Sequence, residues 1–159
     1  MRILKVLKFN LAIAPTVTFI MLFLLVFETA SANDIIFSKG QLIINGENYL
    51  LEIARSTNQR RHGLMYRVHL DKRQGMLFIY PGSGDHRIWM KNTLIPLTVI
   101  WLDKNEKIIG IKNLSPCVSD PCPSYGISKP SKYVLELDSG SHSLKPGQSI
   151  KGIIQLESL

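Results

Sequence analysis

The chain has 159 residues, of which 19 are Lys or Arg and 12 are Asp or Glu, and its formal net charge at pH 7 is +7. This length suits one domain. Apart from the pairs Arg60-Arg61 and Lys72-Arg73, the basic residues are scattered among acidic ones, which argues against nucleic-acid binding and leaves a mild preference for anionic ligands or membrane surfaces.

The first 32 residues have the three parts of a secretory signal peptide. Basic residues precede a mostly apolar run from Leu11 to Phe27, and the small residues of Ala30-Ser31-Ala32 follow it. This pattern predicts cleavage after Ala32, with Asn33 as the new N-terminus of a periplasmic or secreted protein. The alternative is a protein anchored in the membrane by an uncleaved N-terminal segment, although the run has only about the minimum length that spans a bilayer.

Residues 33–159 are predicted to form a single domain that opens with a β-hairpin. Two β-favouring runs flank Asn45-Gly46 within the segment 41–54, and this dipeptide is a strong signal for a hairpin turn. A short helix is predicted to begin at Thr57, which can cap it, and to end near Arg67.

Short apolar runs predict further strands along the rest of the chain. They are GMLFIYP, which the turn 81–84 should end, IWMKNT at 88–93, LTVIWLD at 97–103, KIIGIKNL at 107–114 and YVLELD at 133–138. We expect the segments 97–103 and 107–114 to pair with each other. Seven or eight short strands and one or two short helices predict an α+β, mostly β domain with a curled or barrel-like antiparallel sheet.

Both cysteines, Cys117 and Cys122, lie in the Pro-rich loop PCVSDPCP. In a chain that is exported, two such cysteines predict a disulfide that fixes this loop. A redox motif more often has the spacing Cys-x-x-Cys at the start of a helix, and two thiols without nearby His make a poor zinc site.

Several motifs, in a fixed order along the chain, are similar to those of one bacterial and archaeal family. They are GLMYR, GMLF, WMKNTLIPL, WLDKNEKIIGI, PCVSDPCPSYG and YVLELDSG. Over essentially all of 33–159 the chain resembles domain-of-unknown-function family 192. The resemblance implies an exported, compact, β-rich single domain and assigns no activity. Many relatives have an acid after the IPL of this motif, where this chain has Thr98, so a pairing of that acid with Lys91 or an arginine is expected to be absent here.

The segment IWMKNTLIP holds the candidate ligand-binding residues. Lys91 offers a positive charge, and Asn92 and Thr93 offer directional hydrogen bonds to an anionic or carbonyl group. Trp89 and Trp101 are expected to lie in the core or to form an aromatic wall of the pocket, and Arg67 is a further candidate. If the segment is extended, Trp89, Lys91 and Thr93 share one face.

The alternative is a structural network in the same segment. In that case Lys91 pairs with Asp103 or Glu136, and its two polar neighbours cap the turn before Pro96, because buried polar groups usually satisfy one another.

Other kinds of site have weaker support. Met65, Met76 and Met90 with His62 and His86 carry groups that suit Cu(I), but the spacings Met-x-x-Met and His-x-His do not occur. The sequence also has no Gly-x-Ser-x-Gly elbow, no His-Glu-x-x-His zinc motif and no phosphate-binding glycine loop. We therefore predict no metal site and no cofactor.

Because no nucleophile and base are paired in the sequence, the prediction for function is a small ligand-binding or envelope-binding module that uses the Lys/Asn/Thr cluster beside aromatic residues. An enzyme acting through the same cluster, or a structural or protein-interaction domain, is the alternative. The expected partner is a small molecule or an envelope component, with no nucleic acid and no stable membrane insertion after signal cleavage. A monomer is expected.

Overall fold

A computed structural model describes residues 35–140 and 142–158. The predicted signal peptide and its cleavage site lie outside the described residues. No helix in the described part of the chain is both long and apolar enough to cross a membrane.

Eight strands and two short helices follow one another in the described residues. In chain order they are β1 (Ser38–Ile44), β2 (Glu47–Ala54), α1 (Thr57–His62), β3 (Gln74–Gly84), β4 (Ile88–Trp89), β5 (Leu97–Leu102), β6 (Ile108–Leu114), β7 (Ser124–Tyr125), β8 (Ser131–Asp138) and α2 (Ile153–Glu157). The mostly β prediction with two short helices is confirmed.

Six strands form one open, mixed sheet in the order β1-β2-β3-β8-β5-β6, with β1 and β6 at its edges. Strands β2 and β3 are parallel, and the other neighbours in the sheet are antiparallel. The predicted antiparallel, barrel-like sheet is therefore wrong in both respects. The reason lies in the segment 55–73, because a connection that contains a helix carries the chain back to the same end of the sheet and makes the next strand parallel.

The predicted hairpins are confirmed. Strands β1 and β2 pair around Asn45 and Gly46, whose φ angles of 51° and 82° are the positive values that a tight hairpin turn requires. Strand β6 pairs with β5, as expected from the turn between them.

Helix α1 is shorter than predicted. Its N-cap is Ser56, whose hydroxyl accepts from the backbone N–H of Gln59, while the Gln59 side chain accepts from the N–H of Ser56. The helix ends at His62 because Gly63, with a φ of 52°, turns the chain away. A Cβ at Gly63 would lie 3.3 Å from the Phe78 ring, so the loop after the helix packs closely against β3.

The segments 81–84 and 88–93 also differ from the prediction. Strand β3 continues to Gly84, with its register to β8 shifted between Ile79 and Gly84, so the turn residues distort the strand without ending it. Conversely, the extended part of IWMKNT is only Ile88–Trp89. Asn92 has a φ of 56° and lies in a turn, so the predicted alternation of side chains beyond Trp89 is wrong.

The two faces of the sheet carry two apolar cores. One face packs against α2 through Ile153 and Leu156. The opposite face, here called the α1 face, carries Val134 of β8 and packs against Leu64, which follows α1, and Met90, which follows β4. The alternation of side chains along β8 therefore assigns Glu136 to the α1 face, together with Val134.

Candidate functional site

A cleft of about 320 Å³ opens on the α1 face, and basic, aromatic and acidic side chains line it. The lining includes Arg60, Arg61 and His62 of α1, Tyr80 of β3, Arg87 and Trp89 at and before β4, Thr93, and Glu136 of β8. The basic side chains outnumber the single acid, so the cleft favours anions.

Glu136 lies in the middle of the sheet, between Met76 of β3 and Val99 of β5. The residue is 4% exposed. Burial raises the pKa of its carboxyl group from the ordinary 4.5 to about 8, and no ion pair or hydrogen bond from the described residues lowers that pKa. Glu136 is therefore mostly a neutral carboxylic acid at neutral pH.

Arg60 and Tyr80 form one wall of the cleft. The Arg60 guanidinium donates to the backbone oxygens of Arg55 and Ile79, the latter at 3.1 Å. Its carbon Cζ lies 5.1 Å from the centroid of the Tyr80 ring. Burial, followed by the nearby Glu136 carboxyl, raises the pKa of Tyr80 to about 12, so its hydroxyl stays protonated. These contacts hold the Arg60 guanidinium in place, so it contributes a positive charge at a fixed position in the cleft.

Arg87 joins β4 to β7 at another edge of the cleft. Its guanidinium donates to the backbone oxygen of Ser124 at 2.6 Å and to the Ser124 hydroxyl at 3.2 Å. Asp85 lies 3.8 Å away and is well exposed. Arg87 thus adds positive charge to a rim that is held by backbone contacts.

A shallower concavity, here called the shelf, lies beside the cleft and shares Arg61, His62, Met65 and Trp89 with it. Its volume is about 370 Å³, and its lining also includes predicted site residues. Because Arg61 lines both concavities and is exposed, its guanidinium can serve a ligand in either one.

Three of the predicted ligand-binding residues, Trp89, Lys91 and Asn92, line the shelf. The Lys91 ammonium lies 6.0 Å from the centroid of the Trp89 ring. Asn92 connects the turn after β4 to the loop after α1, because its side-chain amide donates to the Tyr66 hydroxyl at 2.8 Å. The shelf therefore combines a cation, an amide and an aromatic ring.

The other two predicted residues lie elsewhere. Thr93 is buried and lines the cleft, and its backbone N–H donates to the backbone oxygen of Met90 at 3.2 Å. Arg67 lines neither concavity of this site, and its guanidinium pairs with Glu52 at 2.5 Å. Arg67 is thus separated from the cluster that it was expected to join.

The alternative pairing of Lys91 with Asp103 or Glu136 is wrong. The Lys91 ammonium lies 3.7 Å from Asp120, and both side chains are substantially exposed. The turn of the chain at Asn92 directs Lys91 toward the cysteine loop, whereas Glu136 lies on the floor of the cleft.

Thr98, which replaces the acid of many relatives, lies on the opposite face of the sheet from Glu136. It is paired with Leu137, and its hydroxyl donates to Asn113 at 3.0 Å. Side chains alternate along β5, so Thr98 faces away from its neighbour Val99, which belongs to the core of the α1 face. The departure at this position does not alter the lining of the cleft.

Sequence reasoning passed over Arg60, Arg61, Arg87 and Glu136 as site residues. Two signals could have found them: Arg60-Arg61 is an adjacent basic pair, and Glu136 is the acid inside the apolar strand YVLELD. What the sequence does not contain is the contact between β8 and the region around α1, which are far apart along the chain.

The residues considered for copper do not form one group on the α1 face. Met76 and Met90 are fully buried in the apolar core, whereas Met65 and His62 line the cleft. His86 stacks on Tyr80 with ring centroids 3.5 Å apart. In the cysteine loop, the sulfur atoms of Cys117 and Cys122 are 2.06 Å apart, which is a disulfide distance.

A second concavity of about 350 Å³ lies at the other end of the domain and includes Tyr49, Arg73 and His142. Its polar groups are largely paired with one another. Arg73 binds Glu47 at 2.6 Å, and the two ring nitrogens of His142 lie 3.1 Å from the Tyr49 hydroxyl and 2.7 Å from the Asp138 backbone oxygen. Asp138 in this concavity has a buried Oδ1 without a hydrogen bond, but His142 lies 3.4 Å from it. Glu136 has no such neighbour in the described part of the chain, so the cleft is the stronger candidate.

Comparisons with solved structures show chains of the same fold. A protein from Sinorhizobium meliloti 1021, described as a candidate transcription regulator, matches with a TM-score of 0.67 and 29% identity, over 76% of this chain and 98% of its own. A protein of unknown function from Novosphingobium aromaticivorans DSM 12444 matches with a TM-score of 0.61 and 23% identity, over 77% of this chain and 89% of its own.

The comparison with curated proteins finds no match. The model of one protein family, described as Uncharacterized ACR, COG1430, matches residues 40–152, a segment that includes the cleft, the cysteine loop and all of the shelf's lining except Ile35. This match covers most of the chain and agrees with the motifs in the sequence, so the protein belongs to the DUF192 family.

Proposed function

We propose that this domain is exported to the periplasm or the cell exterior and binds a small anionic molecule in the cleft and on the adjoining shelf. Arg61 and Lys91 supply charge for the ligand, and Trp89 supplies an aromatic wall. The ligand is a free small molecule or part of an envelope component, and the protein acts as a monomer.

The observation that supports this proposal is a buried acid without a partner beneath a basic rim. A carboxyl group in such a place lowers the stability of the folded protein at neutral pH, because the unfolded chain exposes it to water as a carboxylate. Unfavourable buried groups that face a cleft are common at functional sites. Glu136 is therefore better explained by a ligand than by the fold.

The same observation favours an enzyme as a second candidate, because a carboxylic acid with a pKa of about 8 has a proton to give at neutral pH. Ser124 and Thr57 add hydroxyl groups to the cleft. In this case a bound substrate would be converted, whereas a binding protein returns its ligand unchanged.

The third candidate is a structural or protein-interaction domain, and it is favoured by the exposed pairing of Lys91 with Asp120. That role needs neither the cleft nor Glu136, so it predicts no small-molecule binding.

A binding assay separates these three candidates. Thermal unfolding of the purified, cell-processed protein is followed in the presence of short carboxylates and phosphate esters, and bound compounds are recovered and analysed. We expect saturable stabilisation, a compound that is recovered unchanged, and about tenfold weaker binding in Arg61→Gln. The matched control is Arg73→Gln, which removes an arginine at the other end of the domain. Equal weakening in both variants would mean that only the overall charge matters.

A further inference from the structure

The inference concerns what Glu136 recognises, and it rests on the proposed function of the cleft. Along the row of the sheet that contains Glu136, its direct neighbours Met76 and Val99 are apolar and buried. They offer its carboxyl group neither a hydrogen bond nor a charge. Neither direct neighbour can therefore satisfy the carboxyl group, and the cleft that Glu136 lines is open to a ligand that can.

Two other acids with limited exposure, Glu106 and Glu52, have partners. Glu106, which is 5% exposed, accepts from the backbone N–H groups of Gly152 and Ile154 at 3.0 and 2.9 Å. Glu52 pairs with Arg67. Asp138 has a buried Oδ1 without a hydrogen bond, but it lies 3.4 Å from His142. Among these acids of the described residues, Glu136 has neither a hydrogen bond nor an ion pair.

The charged and titratable groups around Glu136 come from several elements. They are Arg60, Arg61 and His62 of α1, Tyr80 of β3, Arg87 before β4, and, farther along the same row of the sheet, Glu52 of β2 and Lys112 of β6. Arg60 is held by backbone oxygens and Arg87 by Ser124. Neither of these two guanidinium groups donates to the Glu136 carboxyl group, and burial raises its pKa to about 8.

A neutral carboxyl group has one O–H to donate and one oxygen to accept. A ligand with a positive charge would have to pass three guanidinium groups, which repel it. A simple anion would be attracted by the rim but would leave Glu136 without a partner. A ligand that is attracted by the rim and also gives Glu136 a hydrogen-bond partner has an anionic group for the rim and an uncharged hydrogen-bonding group for the floor.

We propose that Glu136 determines the specificity of the cleft by donating a hydrogen bond to an uncharged carbonyl or hydroxyl group of an anionic ligand. The ligand class is thus a small carboxylate or phosphate that also carries an amide, carbonyl or hydroxyl group. The anionic end lies at the arginine rim, and the uncharged end lies at the floor.

Three small carboxylates test this assignment by isothermal titration calorimetry on the cell-processed protein. N-acetyl-β-alanine carries a carboxylate and an amide, hexanoate has a chain of the same length without the amide, and β-alanine carries an ammonium group. We expect N-acetyl-β-alanine to bind at least about tenfold more tightly than either of the others, because a buried donor left unpaired is unfavourable.

The dependence on pH gives a second, independent readout. Binding of N-acetyl-β-alanine should weaken about fivefold between pH 8 and pH 9, since the ionised Glu136 can no longer donate and repels the anion. Glu136→Gln keeps a donor that does not titrate, so it should retain binding and lose this pH dependence. The pH dependence of binding to the wild-type protein tests the proposal even if the variant does not fold.

The outcomes separate the two proposals. If hexanoate binds as tightly as N-acetyl-β-alanine, the cleft binds anions but the role of Glu136 is wrong. If β-alanine binds most tightly, Glu136 acts as a carboxylate and the assignment is overturned. The proposed function itself fails if none of the three probes binds and if, in the thermal-unfolding assay, Arg61→Gln weakens the binding of no compound.

Discussion

Glu136→Gln is expected to make the domain more stable at neutral pH. The folded protein holds this group at a pKa of about 8, against an ordinary value of 4.5. Because the folded pKa is the higher one, the protonated group contributes its full stability below about pH 4.5, and that contribution is lost as the pH rises through about 8. Glutamine keeps the shape of the side chain and removes the proton equilibrium.

The magnitude follows from the difference between the two pKa values. Each pH unit between them is equivalent to about 1.4 kcal/mol, so the wild type should lose about 3 kcal/mol relative to the variant between pH 4.5 and pH 7, and about 5 kcal/mol by pH 9. This is a large part of the roughly 5 to 15 kcal/mol that stabilises a domain. Removing a group that belongs to the fold alone should rarely stabilise it so much.

Urea unfolding of the wild type and the variant at about pH 5, 7 and 9 measures this difference. Glu47→Gln is the matched control, because Glu47 is an exposed acid in an ion pair with Arg73 and its loss should change the free energy of unfolding by less than about 1 kcal/mol. A Glu136→Gln protein that is equally or less stable than the wild type at every pH would show that a partner compensates the carboxylate, and the account of the cleft floor would be refuted.

Three further predictions concern the rest of the chain. Lys91→Met should change the free energy of unfolding by less than about 1 kcal/mol, because Lys91 and Asp120 are both exposed; a loss of 3 to 5 kcal/mol in denaturant unfolding would mean that Lys91 compensates a buried charge. Protein isolated from the cell envelope should show no free thiol in denaturant without reductant, since Cys117 and Cys122 lie in a Pro-rich loop of a chain that we propose to be exported; two reactive thiols would contradict the predicted disulfide. The intact mass should correspond to cleavage after Ala32, and a membrane-bound species that keeps the first 32 residues would contradict export with cleavage.

Local features of the fold were predictable from the sequence because short-range chemistry determines them. Asn45-Gly46 accepts the positive φ angles of a tight turn, and the hairpin follows from it. The β5–β6 pair is likewise joined by a short turn. The order of strands in the sheet was not predictable, because it depends on contacts between segments that are distant along the chain. The parallel pairing of β2 with β3 is the clearest example.

The candidate site was predicted in part for the same reason. Trp89, Lys91 and Asn92 are neighbours in sequence and lie together on the shelf. Arg67 is distant from them in sequence, and its guanidinium pairs with Glu52 of β2, a contact that only the fold brings about. The sequence does show Glu136 in an apolar strand, yet its position under the arginines of α1 requires the fold.

The most direct test of the account is to locate a bound probe on the molecule. Backbone and indole N–H signals of the isotopically labelled, cell-processed protein are followed by NMR during titration with N-acetyl-β-alanine. We predict saturable changes that are largest at Arg61, Trp89 and Thr93, which line the cleft, and that weaken in Arg61→Gln. Changes that are largest around Tyr49 and His142, or the absence of any saturable change, would contradict the claim that this cleft is a binding site for anions.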